Sequence, residues 1–409
     1  MSPGSPDSWL QRHQRPLFLL ASGLSTTGSF AGLTAKGWIL MAGTGNPLLL
    51  ALHFAALALP SLVVSGRAGV LTDRLGCETV LIRSQWGLFG GATLGALAIP
   101  LLQGTGQVLL LLLSTLVVGV SSSFELTARS KYCALLVERP EQVGPYLASF
   151  SVVFNVGKLV GPPLGGWLAA LSGPAMALAI DAASYLLPIA TVVWLLRPRR
   201  DLEQRSTGGA GASLWATWRG CGPTLRHVLR FTTVACLVGF FHPGLAPLIA
   251  AEVVGPSPQA LGLFTSVLAA GSIAGGLVLQ RNSSALSERP ALLLGGCAVA
   301  VALAQLGMAA ASGGTAALAM ALLLGAGTAG LLAGSNLILQ VGAPMALRGR
   351  MAGMGQIAFL GGGGVSGLVA AGLAMTVGLS ATFALLGGVG LVVGVLELGR
   401  KGALRLRSA

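Results

Sequence analysis

Twelve apolar stretches, separated by short polar breaks, are each long enough to cross a bilayer at about 20 residues per crossing. They occupy residues 17–41, 48–65, 80–102, 108–124, 146–171 and 175–196, then 231–254, 260–279, 291–311, 315–341, 351–377 and 380–398. Only 9% of the 409 residues are charged, against roughly 25% in an ordinary soluble domain. So few charges cannot cover a water-facing surface, which excludes a soluble enzyme, a disordered chain and a coiled coil. The expected fold is an all-α integral membrane protein with twelve transmembrane helices in two pseudo-symmetric six-helix bundles. The first apolar run exceeds the about 7–15 residues of a signal-peptide core, so it reads as the first helix rather than a cleaved leader.

The formal charge of +13 would suggest nucleic acid in a soluble protein. Here it sorts by topology. Alternate turns, at 42–47, 103–107, 172–174, 255–259, 312–314 and 378–379, contain no Lys, Arg, Asp or Glu. The opposite face, with both termini, takes 23 of the 25 Lys and Arg, counting Arg83 at the near end of its span; the other two, Lys36 and Lys158, lie farther inside spans. The positive-inside rule then places both termini in the cytoplasm. The charge needs no nucleic-acid partner, and part of it can hold anionic lipid headgroups.

The longest internal loop, 197–230, divides the spans six and six, giving bundles at 1–196 and 231–409 joined by a cytoplasmic linker. The linker starts basic and Gly/Ser-rich, and Leu214, Trp215, Trp218, Leu225 and Leu229 could lie as a short interfacial helix. The halves resemble each other. Gly161-Pro162-Pro163-Leu164-Gly165 in span 5 matches Gly363-Gly364-Val365-Ser366-Gly367 in span 11. The stretch Gly69 to Arg74 matches Gly276 to Arg281 at nearly the same offset. Repeated halves imply a pseudo-twofold axis along the membrane normal with a substrate cavity between them. The cysteines, Cys77, Cys133, Cys221, Cys236 and Cys297, avoid the uncharged turns, so neither disulfides nor a metal cluster are expected.

After span 2 the chain reads Gly69-x-Leu71-x-Asp73-Arg74-x-Gly76. This resembles the cytoplasmic loop signature of the major facilitator superfamily. Gly69 would let the helix end pack closely, Gly76 would permit a tight turn, and Asp73 would present a carboxylate. The resemblance implies that this carboxylate meets the amino end of span 11, where free N–H groups favour an anion. Cys77 and Glu78 stand where basic residues are usual, and Gln280 replaces the acid in the second copy. Span 5 carries Gly157, Gly161, Pro162, Gly165 and Gly166, similar to the antiporter motif of the superfamily; plain helix packing is the alternative. Asn336, Gln340, Pro344, Arg348, Gly349 and Arg350, with Asp181, Ser184 and Tyr185, resemble the bacterial branch of enterobactin exporter-like and lysophospholipid transporter-like proteins. The resemblance implies alternating access, export and an inner-membrane location. Span 1 has Ser29 where this branch commonly carries an acid.

Charges inside the bilayer are functional candidates by default. At about 1.5 Å rise per residue, Lys36 falls near the outer surface and is expected to snorkel. Lys158 falls near the midplane, and Asp181, in the outer half of span 6, could pair with it or exchange protons. His242 sits near the midplane before Pro243 and Pro247, in a stretch expected to be broken and polar. His53 and Glu252 lie near outer ends and rank lower. Glu125 and Arg129, one turn apart, form either a simple pair or a cytoplasmic gate; Arg348 and Arg350 are further gate candidates.

No Walker GxxxxGK[ST], HExxH, CxxC or GxSxG is encoded, so no ATP motor, enzyme activity or cofactor is expected. The leading function is proton-coupled export of small amphipathic or hydrophobic molecules by a monomer. The cavity would be lined by small hydroxyl side chains such as Ser22, Ser25, Thr26, Thr27 and Ser29. Uptake or lysophospholipid flipping by the same fold is the second reading, and a non-transporting assembly factor the third. The intact Asp73 loop argues against the third, because a scaffold that does not cycle has no use for it.

Overall fold

The computed structural model describes residues 6–137, 142–196, 218–282, 289–343 and 348–400. Proline opens many of its helices, where a missing N–H costs nothing and the fixed φ suits the first turn. The first half contains α1 (Pro6–Thr44), α2 (Pro47–Ala58), α3 (Pro60–Leu75), α4 (Cys77–Leu101), α5 (Gly104–Leu135) and α6 (Val143–Ser172). It closes with α7 (Pro174–Ser184), α8 (Leu186–Ala190) and a π-helical turn at Thr191–Leu195. The second half contains α9 (Pro223–Gly239), α10 (His242–Val253), α11 (Pro258–Arg281) and α12 (Pro290–Ala310). It ends with α13 (Gly314–Val341), α14 (Arg348–Val377) and α15 (Leu379–Leu398). Asn46 accepts from the Leu48 N–H and Ser257 from the Ala260 N–H, capping α2 and α11.

Among the described residues, ten helices are long and apolar enough to cross a membrane. Residues 80–102 and 146–171 are helical too, in α4 and α6, but glycine, Gln85, Asn155, Lys158 and two prolines dilute their hydropathy. Three expected spans are broken, each at a proline. Span 2 becomes α2 and α3 at Pro60, span 6 becomes α7 and α8 near Pro188, and span 7 becomes α9 and α10 before Pro243. Of these, only the break in span 7 is expected from the sequence.

The chain divides into two compact units. The first takes Met1–Gly43 and Pro60–Ala210; the second takes Thr44–Leu59 and Gly211–Ala409. In the first unit α4 packs on α5 and α7, and α3 packs on α5. In the second, α12 packs on α13 and α15, and α11 packs on α13. Numbered as spans, 3 meets 4 and 6, and 9 meets 10 and 12; span 2 meets 4, and 8 meets 10. Span 5 packs on span 1 through Gly161 against Phe30, and span 11 packs on span 7 through Gly362 against Cys236. The turns at Gly173 and Gly378 share a left-handed backbone, with φ of 81° and 83°. Packing and turn geometry thus repeat where the sequence matches are short.

Glycine sets how closely these helices approach. A Cβ at Gly325 of α13 would run into the Leu268 carbonyl of α11, and one at Gly271 of α11 into the Leu322 carbonyl of α13. Gly325→Ala is therefore expected to cost about 1–3 kcal/mol, since a backbone oxygen cannot move aside cheaply. Gly276→Ala on the same α11 meets nothing within 4 Å and should stay within about 0.5 kcal/mol of the parent. Thermal melts of the two variants in detergent check the contrast.

Candidate functional site

The first unit holds a buried polar centre on spans 1, 3, 4 and 6. Asp181 of α7 is 3% exposed and packs against Gly32 of α1. Gly28, one turn earlier, receives Ser184 in the same way. Any side chain at either glycine would fill the groove that these two residues occupy. Pro188 has no N–H for the Ser184 carbonyl, which loosens span 6 directly beside the carboxylate. The Ser184 hydroxyl donates to the Asp181 carbonyl (2.7 Å). Tyr185 Oη lies 2.8 Å from Ser29 Oγ and close to the Asp181 carboxylate. Asp181 Oδ1 is buried and has no hydrogen bond of good geometry among the described residues.

Lys36 departs from expectation. It does not snorkel: it is 3% exposed, and its Nζ donates to Ser114 Oγ of α5 at 2.8 Å. Ser114 in turn donates to the Gly91 carbonyl of α4 at 2.8 Å. The physical reason is twofold. Helix α1 continues to Thr44, so Lys36 lies two turns from its end. Gly95 of α4 has no side chain, which leaves room for the lysine stem: a Cβ there would sit 2.8 Å from Lys36 Cε. Lys36 and Asp181 lie near enough for each charge to bear on the other. Lys158, expected as that partner, is half-buried on α6 and exerts no such influence. Ser114, Gly91 and Gly95 escaped the sequence reading. The available signal was a small-residue face on span 3 opposite a lysine on span 1.

At the other end of the first unit, Glu125 and Arg129 form the expected i,i+4 pair at 3.0 Å. Gln85 Nε2 approaches Glu125 Oε1 at 3.5 Å, and the Arg129 guanidinium lies 5.4 Å from the Phe150 ring centroid. Glu125 is buried and Arg129 half-buried beside an apolar cluster that includes Phe18, Tyr132, Tyr146 and Phe150. Asp73 pairs with Lys131 of α5 across a partly exposed surface, so its carboxylate finds a cation within its own unit. Arg74 lies in the last turn of α3, and Gly76 adopts φ 85° as the turn into α4. Gly69 departs from expectation: a Cβ there would meet nothing within 4 Å, so it makes no close approach.

The span 5 glycines face span 1. Gly157 meets Thr26, Gly161 meets Phe30 and the Thr27 carbonyl, and Gly165 meets the Ala31 backbone. Gly166 and Pro162 are buried in the same helix, which continues unbroken through both prolines. Helix packing is thus what this motif does inside the first unit. The hydroxyls of Thr26, Thr27 and Ser29 donate to the carbonyls of Ser22, Gly23 and Ser25 of their own helix. Ser22 and Ser25 are buried.

In the second unit His242 is buried at the start of α10, with its ring edge-on to Phe240 at 5.2 Å. His53 is buried in α2, and Glu252 is exposed near the end of α10. A cluster not anticipated joins Glu397, 3% exposed, to His227, whose Nε2 lies 2.9 Å from both carboxylate oxygens. Arg400 adds a contact of 3.3 Å to His227 Nδ1. Glu397 was hidden by its place at the very end of the last apolar run. Arg348 and Arg350 begin α14, but their side chains lie outside the described residues, as do Pro344 and the linker through 217.

Residues 9–407 match the transmembrane secretion effector family of the major facilitator superfamily. The chain belongs to that family. It is a multi-pass membrane protein of a transporter family, and its fold is a transporter fold. It is 27% identical over 404 residues to the multidrug efflux pump Tap of Mycolicibacterium fortuitum, covering 94% of this chain and 95% of that pump. Among solved structures, the nucleoside transporter NupG superposes with a TM-score of 0.74 at 12% identity, over 94% of this chain and 98% of NupG. A D-xylose-proton symporter superposes with a TM-score of 0.75 at 13% identity, over 94% of this chain and 96% of the symporter. At such identities these two speak for the fold alone.

Proposed function

We propose that this family member is a secondary active exporter that moves small amphipathic or hydrophobic molecules out of the cell in exchange for protons. The observation that carries this reading is Asp181, a carboxylate seated in a glycine groove deep in an apolar span, with Lys36 as its counter-charge. A carboxylate so placed can take up and release a proton, and an amine beside it can balance the charge in either state. The efflux activity named for the Tap relative supports the outward direction. The dominance of apolar and small side chains in the spans suits amphipathic cargo better than sugars.

The reading includes twelve spans in two six-helix halves, 1–196 and 231–409, a cytoplasmic linker at 197–230, and a monomer in the bacterial inner membrane. The uncharged alternate turns support cytoplasmic termini. Asp73 and Arg74 serve as a cytoplasmic latch in this reading, with Glu125, Arg129, Arg348 and Arg350 as gate residues. The test is transport in proteoliposomes with an imposed pH gradient, using a panel of amphipathic dyes as probes. Accumulation that follows the gradient and collapses with a protonophore is the expected result. Accumulation that ignores both would refute proton coupling.

A further inference from the structure

Span 7 is broken where span 1, its counterpart in the repeat, is one unbroken helix. The break has a clear local cause. In a continuous helix the Gly239 carbonyl would accept from the N–H of residue 243, and Pro243 has none. Phe240 leaves the helix at φ −113°, ψ 32°, and a new helix starts from the Phe241 carbonyl, which accepts from Gly244 and Leu245. The carbonyls of Val238 and Gly239 then lose their helical partners in an apolar interior, where an unmet backbone group is costly.

Gln305 of α12 supplies what the helix lost. It is 0% exposed, and its Nε2 donates to the Val238 carbonyl (3.3 Å) and the Gly239 carbonyl (3.1 Å). Both partners are acceptors, so the amide must turn its two donors toward them. Its Oε1 is left buried, without a hydrogen bond among the described residues, beside a small pocket lined by Phe240, Thr328, Phe359 and Gly390. Space for the side chain comes from α15, where a Cβ on Gly387 would sit 3.1 Å from Gln305 Cβ.

We propose that Gln305 is a positioning residue that holds span 7 broken between Gly239 and His242, and so fixes where Phe240 and His242 stand. A side chain on span 9 thereby sets the shape of span 7, independently of the cargo and of the coupling site. The proposal is tested by amide hydrogen exchange on the full chain in lipid nanodiscs. Gln305→Leu keeps the bulk and removes both donors. It should speed exchange at residues 240–245 by about tenfold or more, as expected for losing a hydrogen bond, while the rest of α12 is unchanged. Adding Pro243→Ala returns an N–H to Gly239 and should restore slow exchange, a rescue that general loosening would not show. Unchanged exchange in Gln305→Leu, or no rescue by Pro243→Ala, overturns the proposal. If Gln305→Leu fails to insert, Gln305→Asn, one methylene shorter, should show the same faster exchange, and normal exchange there overturns it too. The measurement needs no cargo, so its failure would leave the Asp181 reading untouched.

Discussion

Replacing Asp181 by Asn should abolish accumulation driven by a pH gradient while leaving counterflow exchange in place. The magnitude follows from the gradient. With two pH units and one proton per cargo molecule, the driving force is about 2.7 kcal/mol, on the order of a hundredfold concentration ratio. Asn keeps the shape that fills the groove at Gly32 but cannot exchange a proton, so the ratio should fall to about one. Counterflow needs only a cycling carrier and should survive. Lys36→Met should damage both readings, because it leaves a buried carboxylate without its counter-charge and Ser114 without its donor. If Asp181→Asn still concentrates the probe against its gradient, coupling resides elsewhere, and His242 becomes the next residue to test.

Breaking the Glu125–Arg129 pair by Arg129→Met should lower stability by roughly 3–5 kcal/mol, because Glu125 would stay buried with its charge unmet. Removing both charges together, with Glu125→Gln added, should recover most of that loss. The aromatic surroundings of Phe18, Tyr132 and Phe150 accept a methionine in place of the guanidinium stem. A double-mutant cycle read by thermal melts in detergent gives the coupling directly. Equal stability of the single and double variants would mean that the Glu125 charge is already solvated, and would remove the pair as a structural element. The contrast with Asp73 and Lys131 is one of burial: that pair is partly exposed, and its loss should cost under about 1 kcal/mol.

The apolar runs were long and uncharged enough to announce the helices, and Pro243, in the first turn of α10, announced the break in span 7. Breaks at Pro60 and Pro188 carried the same signal, but continuous hydropathy masked it. Asp181 stood out because a carboxylate in an apolar run is rare. Its partner was misassigned because counting rise along one helix gives depth and says nothing about the neighbour. Lys36 is buried because Gly95, on another span, leaves it room. Gln305 was overlooked for a related reason: its purpose lies in two carbonyls lost on span 7, and backbone groups have no letter in the sequence. The span 5 glycines resemble an antiporter motif and also suit plain packing; the sequence does not name the neighbour, and the structure sets them against span 1.

The Lys36 contacts also carry a consequence for how the protein is made. Lys36 lies in span 1, its hydroxyl acceptor Ser114 in span 4 and its counter-charge Asp181 in span 6, so Lys36 leaves the ribosome before both. At about 5–20 residues per second, Asp181 emerges on the order of ten seconds after Lys36. Throughout that interval the Lys36 amine is without its counter-charge, and at first without its hydroxyl acceptor too. The first span therefore cannot settle into its final position when it is synthesised. Its docking waits for the sixth, which makes completion of the first half a cooperative event at the end of its translation rather than a helix-by-helix accumulation.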